Sequence, residues 1–174
     1  MNKQKLVIIG TVLMLPVFMS NIIYKKTSGA HPSSTGAPGE QTCAKSGCHS
    51  SAAVNAGTGV NTLIYPDIDS VYVCGATYNI TVQVQKTGIE KFGFQLVALR
   101  DNDNTSIGEL IITDDARTHL QTGTINSQER SYITHSTDGT PATSSGKDVW
   151  SFQWTAPPRK FRQHYILLCY QLYQ

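Results

Sequence analysis

The strongest constraint on this chain is a period-two alternation of apolar and polar residues that recurs along it. Tyr78, Ile80, Val82 and Val84 fall on one side of an extended segment, with Asn79, Thr81 and Gln83 on the other. Successive side chains of a strand point to opposite faces, so such a segment buries one face and wets the other. Trp150, Phe152 and Trp154 repeat the pattern against Ser151, Gln153 and Thr155, and their rings are expected in the core. Phe92 to Leu99 is apolar on both faces, as a central strand requires. Weaker strands are expected at Thr62 to Tyr65, Val71 to Cys74, Gly108 to Thr113 and Arg130 to His135. Turn-rich stretches, DNDNTS and HSTDGTPATSSG, separate them. Roughly seven short strands without an amphipathic helix predict an all-β, Ig-like antiparallel sandwich.

The formal charge of +2 conceals an uneven distribution. Lys3, Lys5, Lys25 and Lys26 flank an N-terminal apolar stretch, and Arg159, Lys160 and Arg162 lie in the tail. Residues 27 to 157 hold seven Lys or Arg against twelve Asp or Glu, a balance of −5. A domain of that sign has no electrostatic footprint for nucleic acid. Lysines followed by the apolar run Leu6 to Ile23, closed by Lys25 and Lys26, have the layout of a secretory signal or an uncleaved membrane anchor over residues 1–26. Any membrane contact is expected through that segment alone. Residues 27–42, rich in Gly, Pro and Ser, read as an extended linker. The sandwich is expected within residues 43–157.

Chemistry concentrates in Cys43-Ala-Lys-Ser-Gly-Cys48-His49. Attachment of haem c needs two thiols that add to the vinyl groups and a following histidine that reaches the iron. The usual spacing places two residues between the cysteines, and here there are four. Two cysteines this close in an exported chain can equally close a disulfide loop. Zinc fits least, because Cys2His supplies three ligands and no second pair follows. No catalytic constellation is found, and no enzyme is expected. Asp114 and Asp115 lack a convergent partner, and the DNDN stretch lacks the Gly and terminal Glu of an EF-hand loop. Cys74 is expected as a small buried hydrophobe or as the partner of another thiol.

Several segments together resemble one family. TGAPGEQTCAKSGCHSS, Tyr78-Asn-Ile-Thr-Val82, Phe92-Gly-Phe-Gln-Leu-Val-Ala-Leu99, Tyr132-Ile-Thr-His135 and Trp150-Ser-Phe-Gln-Trp-Thr-Ala-Pro157 occur in the order seen in the choice-of-anchor V domain proteins of bacteria, which are similar to the Reeler (reelin-type) domain. The resemblance covers residues 35 to 157 and implies a secreted, periplasmic or cell-surface Reeler-like sandwich. It carries no catalytic residue. Members usually have two residues between the cysteines, and Cys74 stands where Pro is common. The resemblance strengthens the expectation of haem c on Cys43 and Cys48, with His49 as the proximal iron ligand. No methionine follows residue 19, so a histidine is the first choice for the second axial ligand. His135, at the family's Tyr-x-x-His position, is that histidine. The leading expectation is an exported c-type haem protein for electron transfer or redox sensing, with a redox partner. The alternative is an adhesive or structural surface module with a Cys43–Cys48 disulfide and a surface ligand.

After Pro157 the tail 158–174 departs from the family, which ends in a Gly-Asn turn and a last strand. One permitted set of codons for this tail, read one base later, encodes such a turn and an alternating strand. A frameshift near Ala156 or Pro157 is therefore expected, leaving the last strand missing and its neighbour's edge open. Resequencing past the Trp154 to Pro157 codons checks this. The expected result is a second frame that runs on through the turn and strand, and a second frame that stops at once removes the idea.

Overall fold

Each strong alternation becomes a strand in the computed structural model, which describes residues 29–44, 53, 57–65 and 71–159 and the backbone of 164–173. The expected leader lies outside the described residues. Among those described, no helix is long and apolar enough to cross a membrane. The strands are β1 (Val60–Ile64), β2 (Thr77–Gln85), β3 (Lys91–Arg100), β4 (Glu109–Ile112), β5 (Thr118–Ile125), β6 (Gln128–His135), β7 (Lys147–Thr155) and β8 (His164–Tyr173), with a 3₁₀ turn at Thr137–Gly139. They form two four-stranded antiparallel sheets, ordered β1-β2-β7-β4 and β5-β6-β3-β8. The expected all-β sandwich is the fold observed.

The inner faces meet in one aromatic core. β2 and β7 pair over nine residues, setting Tyr78 opposite Trp154, Ile80 opposite Phe152 and Val82 opposite Trp150. Opposed residues share a face, so the two alternations reinforce one another. Across the gap lie Phe92, Phe94, Leu96, Ala98 and Ile133, all at most 3% exposed. The rings of Phe94 and Trp150 pack with centroids 4.7 Å apart. Each indole also satisfies its N–H: Trp150 Nε1 donates to the Gly139 carbonyl at 2.8 Å and Trp154 Nε1 to that of Ile107 at 3.0 Å. Gly108, at φ +70°, lies so close to the Trp154 indole that a Cβ there would collide with it, which fixes both the residue and the turn.

Three segments differ from expectation, and a fourth, the DNDN turn, keeps to it. Val71 to Cys74 is a loop rather than a strand: Tyr72 is buried, while Val71 and Val73 are 63% and 67% exposed. Its direction is set by Val73 N–H donating to the Tyr78 hydroxyl at 2.6 Å, followed by a turn at Gly75 with φ +72°. β5 is unexpected, because THLQTGTI lacks apolar alternation; it forms as the outer arm of a hairpin with β6. The DNDN stretch is a turn, as expected, in which Asp103 accepts from the Thr105 hydroxyl and N–H at 2.7 and 3.1 Å and from Arg100 at 3.1 Å. The Thr105 hydrogen bonds, with the Arg100 charge, hold the Asp103 carboxyl below its usual range. Finally, β3 is not left with an open edge, because β8 pairs with it along ten residues, from Lys91 with Tyr173 to Arg100 with His164. HYILLCYQLY is rich in aromatic and aliphatic residues, and that propensity makes a strand of the tail as it stands.

At one end of the sandwich Asp148, fully buried, accepts from Arg117 Nη2 at 2.6 Å and from Val149 N–H at 2.9 Å. Thr143 also faces the carboxylate. Desolvation outweighs these partners and pushes the Asp148 carboxyl up to about 6. The folded protein thus binds a proton here that the unfolded chain, at an ordinary 3.8, has already lost. The contribution of Asp148 to stability therefore falls as pH rises from about 4 to about 6 and stays low above that. Urea unfolding of wild type and Asp148→Asn across this window should show their stability difference moving by roughly 2–3 kcal/mol in favour of wild type on acidification. Parallel profiles would contradict the assignment.

Candidate functional site

Residues 29–44 do not hang free as a linker; they pack as a strap over the outer face of β3, β5 and β6. The strap has little apolar surface to offer, so polar side chains of the sheet hold it. Gln95, buried in the middle of β3, accepts from Ser34 N–H at 2.9 Å and donates to the His31 carbonyl at 2.9 Å. Thr134 accepts from Ala30 N–H at 3.3 Å. Ala37 then closes over Val97, Leu99 and Tyr132 as a second, smaller apolar cluster. This cover explains why β3 is apolar on both faces.

The fastening is a buried ion pair between Glu40 and Arg130, whose side chains are 0% and 2% exposed. One carboxylate oxygen accepts from Arg130 Nη1 at 2.6 Å and from the Tyr132 hydroxyl at 2.7 Å. The other accepts from the Thr35 hydroxyl at 2.6 Å and Thr35 N–H at 3.1 Å. Arg130 also donates to the carbonyls of Pro38 at 3.0 Å and Asn104 at 3.1 Å. Burial, with the Glu40 charge adding to it, pushes the Tyr132 hydroxyl up to about 12, so it stays a donor. With the Glu40 oxygens this fully engaged, the arrangement is a clamp and has no lone pair directed at a ligand.

The four residues of the expected haem site fall differently. Cys48 and His49 lie outside the described residues. Cys43 is described: the strap doubles back through a Thr35–Thr42 bridge, with Gly36 N–H donating to the Gln41 carbonyl at 2.8 Å. That return brings the Cys43 sulfur to 3.6 Å from the Ser34 carbonyl oxygen. Cys43 is disulfide-bonded, its partner lies outside the described residues, and Cys74 is a free thiol. His135 is buried at the end of β6, where the β3–β6 ladder stops after the Gln95–Thr134 pair. There side chains replace the main chain: Phe94 N–H donates to His135 Nδ1 at 2.9 Å, and the Thr134 hydroxyl donates to the Phe94 carbonyl at 2.7 Å. The imidazole fits because residue 93 is glycine. A Cβ at Gly93 would stand 2.6 to 3.0 Å from three of its ring atoms.

Glu40, Arg130, Gln95 and Gly93 escaped the sequence reading. A signal for two of them was present: Glu40 is the lone acid between residues 27 and 42, and Gln95 the lone polar side chain between 92 and 99. Among the described residues no three His, Cys, Asp or Glu side chains gather as a metal site would require.

No family model matches the chain, and no curated protein matches it. Solved structures similar to it include two human F-spondin reeler-domain fragments, each 21% identical with a TM-score of 0.42, covering 66% of this chain and 75% and 78% of theirs. A Reelin-N domain of F-spondin is similar at the same identity and TM-score and is covered over 72% of its length. Likeness at that level carries no argument about what this chain does.

Removing one partner of a buried pair leaves the other charge uncompensated. Glu40→Ala should therefore cost about 3–5 kcal/mol in urea unfolding and open residues 29–42 to limited proteolysis. A variant as stable and as resistant as wild type would show that the clamp does not hold the strap.

Proposed function

We propose that this chain is an exported surface or periplasmic module that works by binding, with Cys43 held in a disulfide rather than thioether-linked to haem. The observation that carries the reading is the oxidised state of Cys43. Stable disulfides belong to oxidising compartments, which agrees with a signal-like segment at residues 1–26 and with the resemblance to secreted choice-of-anchor V proteins. A sulfur bonded to sulfur has no thiol to add to a vinyl group, which supports the disulfide alternative over thioether attachment. His135 offers no independent support for haem, because it has a structural role at the end of the β3–β6 ladder. The excess of acidic residues in the sandwich favours a protein or carbohydrate surface over a nucleic acid as ligand.

Intact and peptide mass spectrometry after expression with a cytochrome c maturation system tests the reading. The expected result is Cys43 in a disulfide-linked peptide that reduction splits or makes two hydrogens heavier, with no haem adduct. Thioether-linked haem on Cys43 and Cys48, with a Soret band that survives denaturation, would overturn it in favour of electron transfer or redox sensing.

A further inference from the structure

β5 is one of the two edge strands of its sheet, the other being the ten-residue β8, and it differs from the edges of the opposite sheet. β1 and β4 are short, at five and four residues, whereas β5 runs for eight without Pro, charge or bulge, in unbroken register with β6. Natural sheets ordinarily shield an edge of that length with a charge, a proline or a bulge. The two strands join through Asn126 and Ser127, at φ +49° and +64°, the signature of a two-residue hairpin turn. Such a turn makes Ile125 and Gln128 a hydrogen-bonded pair, so Leu120, Thr122 and Thr124 turn their N–H and C=O groups away from β6. The same parity sends Thr118 N–H outward, and it is indeed taken from that side by the Asp114 carbonyl at 2.9 Å. No described strand pairs with the outward groups of Leu120, Thr122 or Thr124.

A second observation lies beside the first. Leu120 is 46% exposed at the mouth of a cleft of about 280 Å³ between β4 and β5, floored by Ala98, Ile107 and Leu110. Leu120 and Thr122 stand opposite Ile133 and Ser131 and so belong to the inner face.

We infer that β5 is a self-association edge, on which a second copy of this chain adds its own β5 antiparallel about a two-fold axis through Thr122. Three features select a copy as the occupant. The strand is uncharged, so two copies meet without like-charge repulsion. The axis at Thr122 keeps inner residues beside inner residues, which an axis between Gln121 and Thr122 would not. It also sets Leu120 of one copy opposite Thr124 of the other, so each Leu120 gains a cross-strand neighbour beside the cleft mouth. The product is a continuous sheet of eight strands, four from each copy, closed by isologous symmetry.

The prediction is positional. In a hydrogen-bonded antiparallel pair, opposed Cα atoms are about 5.5 Å apart, within disulfide range. In the full-length protein under mild oxidation, Thr122→Cys should give a reducible cross-linked dimer, while the exposed control Thr143→Cys should not. Thr122→Lys, which opposes two ammonium groups at the axis, should weaken self-association at least about tenfold, with an unchanged melting curve at dilutions where both proteins are monomeric. A Thr122→Cys protein that stays monomeric, cross-linking equal to the control, or a monomeric wild type whose β5 captures an unrelated extended peptide would each overturn the inference.

Discussion

The pairing of Glu40 with Arg130 is the constraint from which the outer half of the molecule follows. Withdrawing two charges from water costs several kcal/mol per ion, and only complete hydrogen bonding offsets that. Glu40 meets this condition with four short contacts from three residues, so the strap has a single place to lie. Once it lies there, Val97, Leu99 and Tyr132 are covered and Cys43 is carried back beside Ser34. The Arg117–Asp148 pair shows the contrary case. Its carboxylate is just as buried but is less generously supplied with donors, and desolvation prevails.

What could be read from the sequence was whatever rests on periodicity. The aromatic stripe of β7, the alternation of β2 and the double-sided apolar run of β3 all appear where the residues indicated, because burying large side chains dominates those strands. β5 and the strap were not legible for the opposite reason. Thr118 to Ile125 is defined by its partner strand and turn, and residues 29–44 by hydrogen bonds to side chains more than sixty positions away, which no local pattern reports. Gly, Pro and Ser in residues 27–42 suggested freedom. In the fold they supply tight turns that let a thin segment cross a sheet.

The site was legible only in part. Cys43 drew notice through its spacing to Cys48, and spacing alone leaves thioether and disulfide open, since both need two nearby sulfurs. His135 drew notice as a histidine at a strand end. What it does there depends on its neighbours, because with glycine at 93 the ring enters the end of the sheet and completes the bonding of the Phe94 backbone. A histidine read in isolation suggests a ligand, whereas the same histidine beside a glycine on the next strand is a stop for the ladder.

The separation of Glu40 from Arg130 by ninety residues bears on how the chain folds as it is made. The strap is among the first parts to emerge, yet its fastening does not exist until β6 has followed it. Contacts of such long range are slow to form, so the strap is expected to dock late, onto a sandwich already assembled. Until it docks, the strap stays extended and the face of Val97, Leu99 and Tyr132 that it will cover stays open to water.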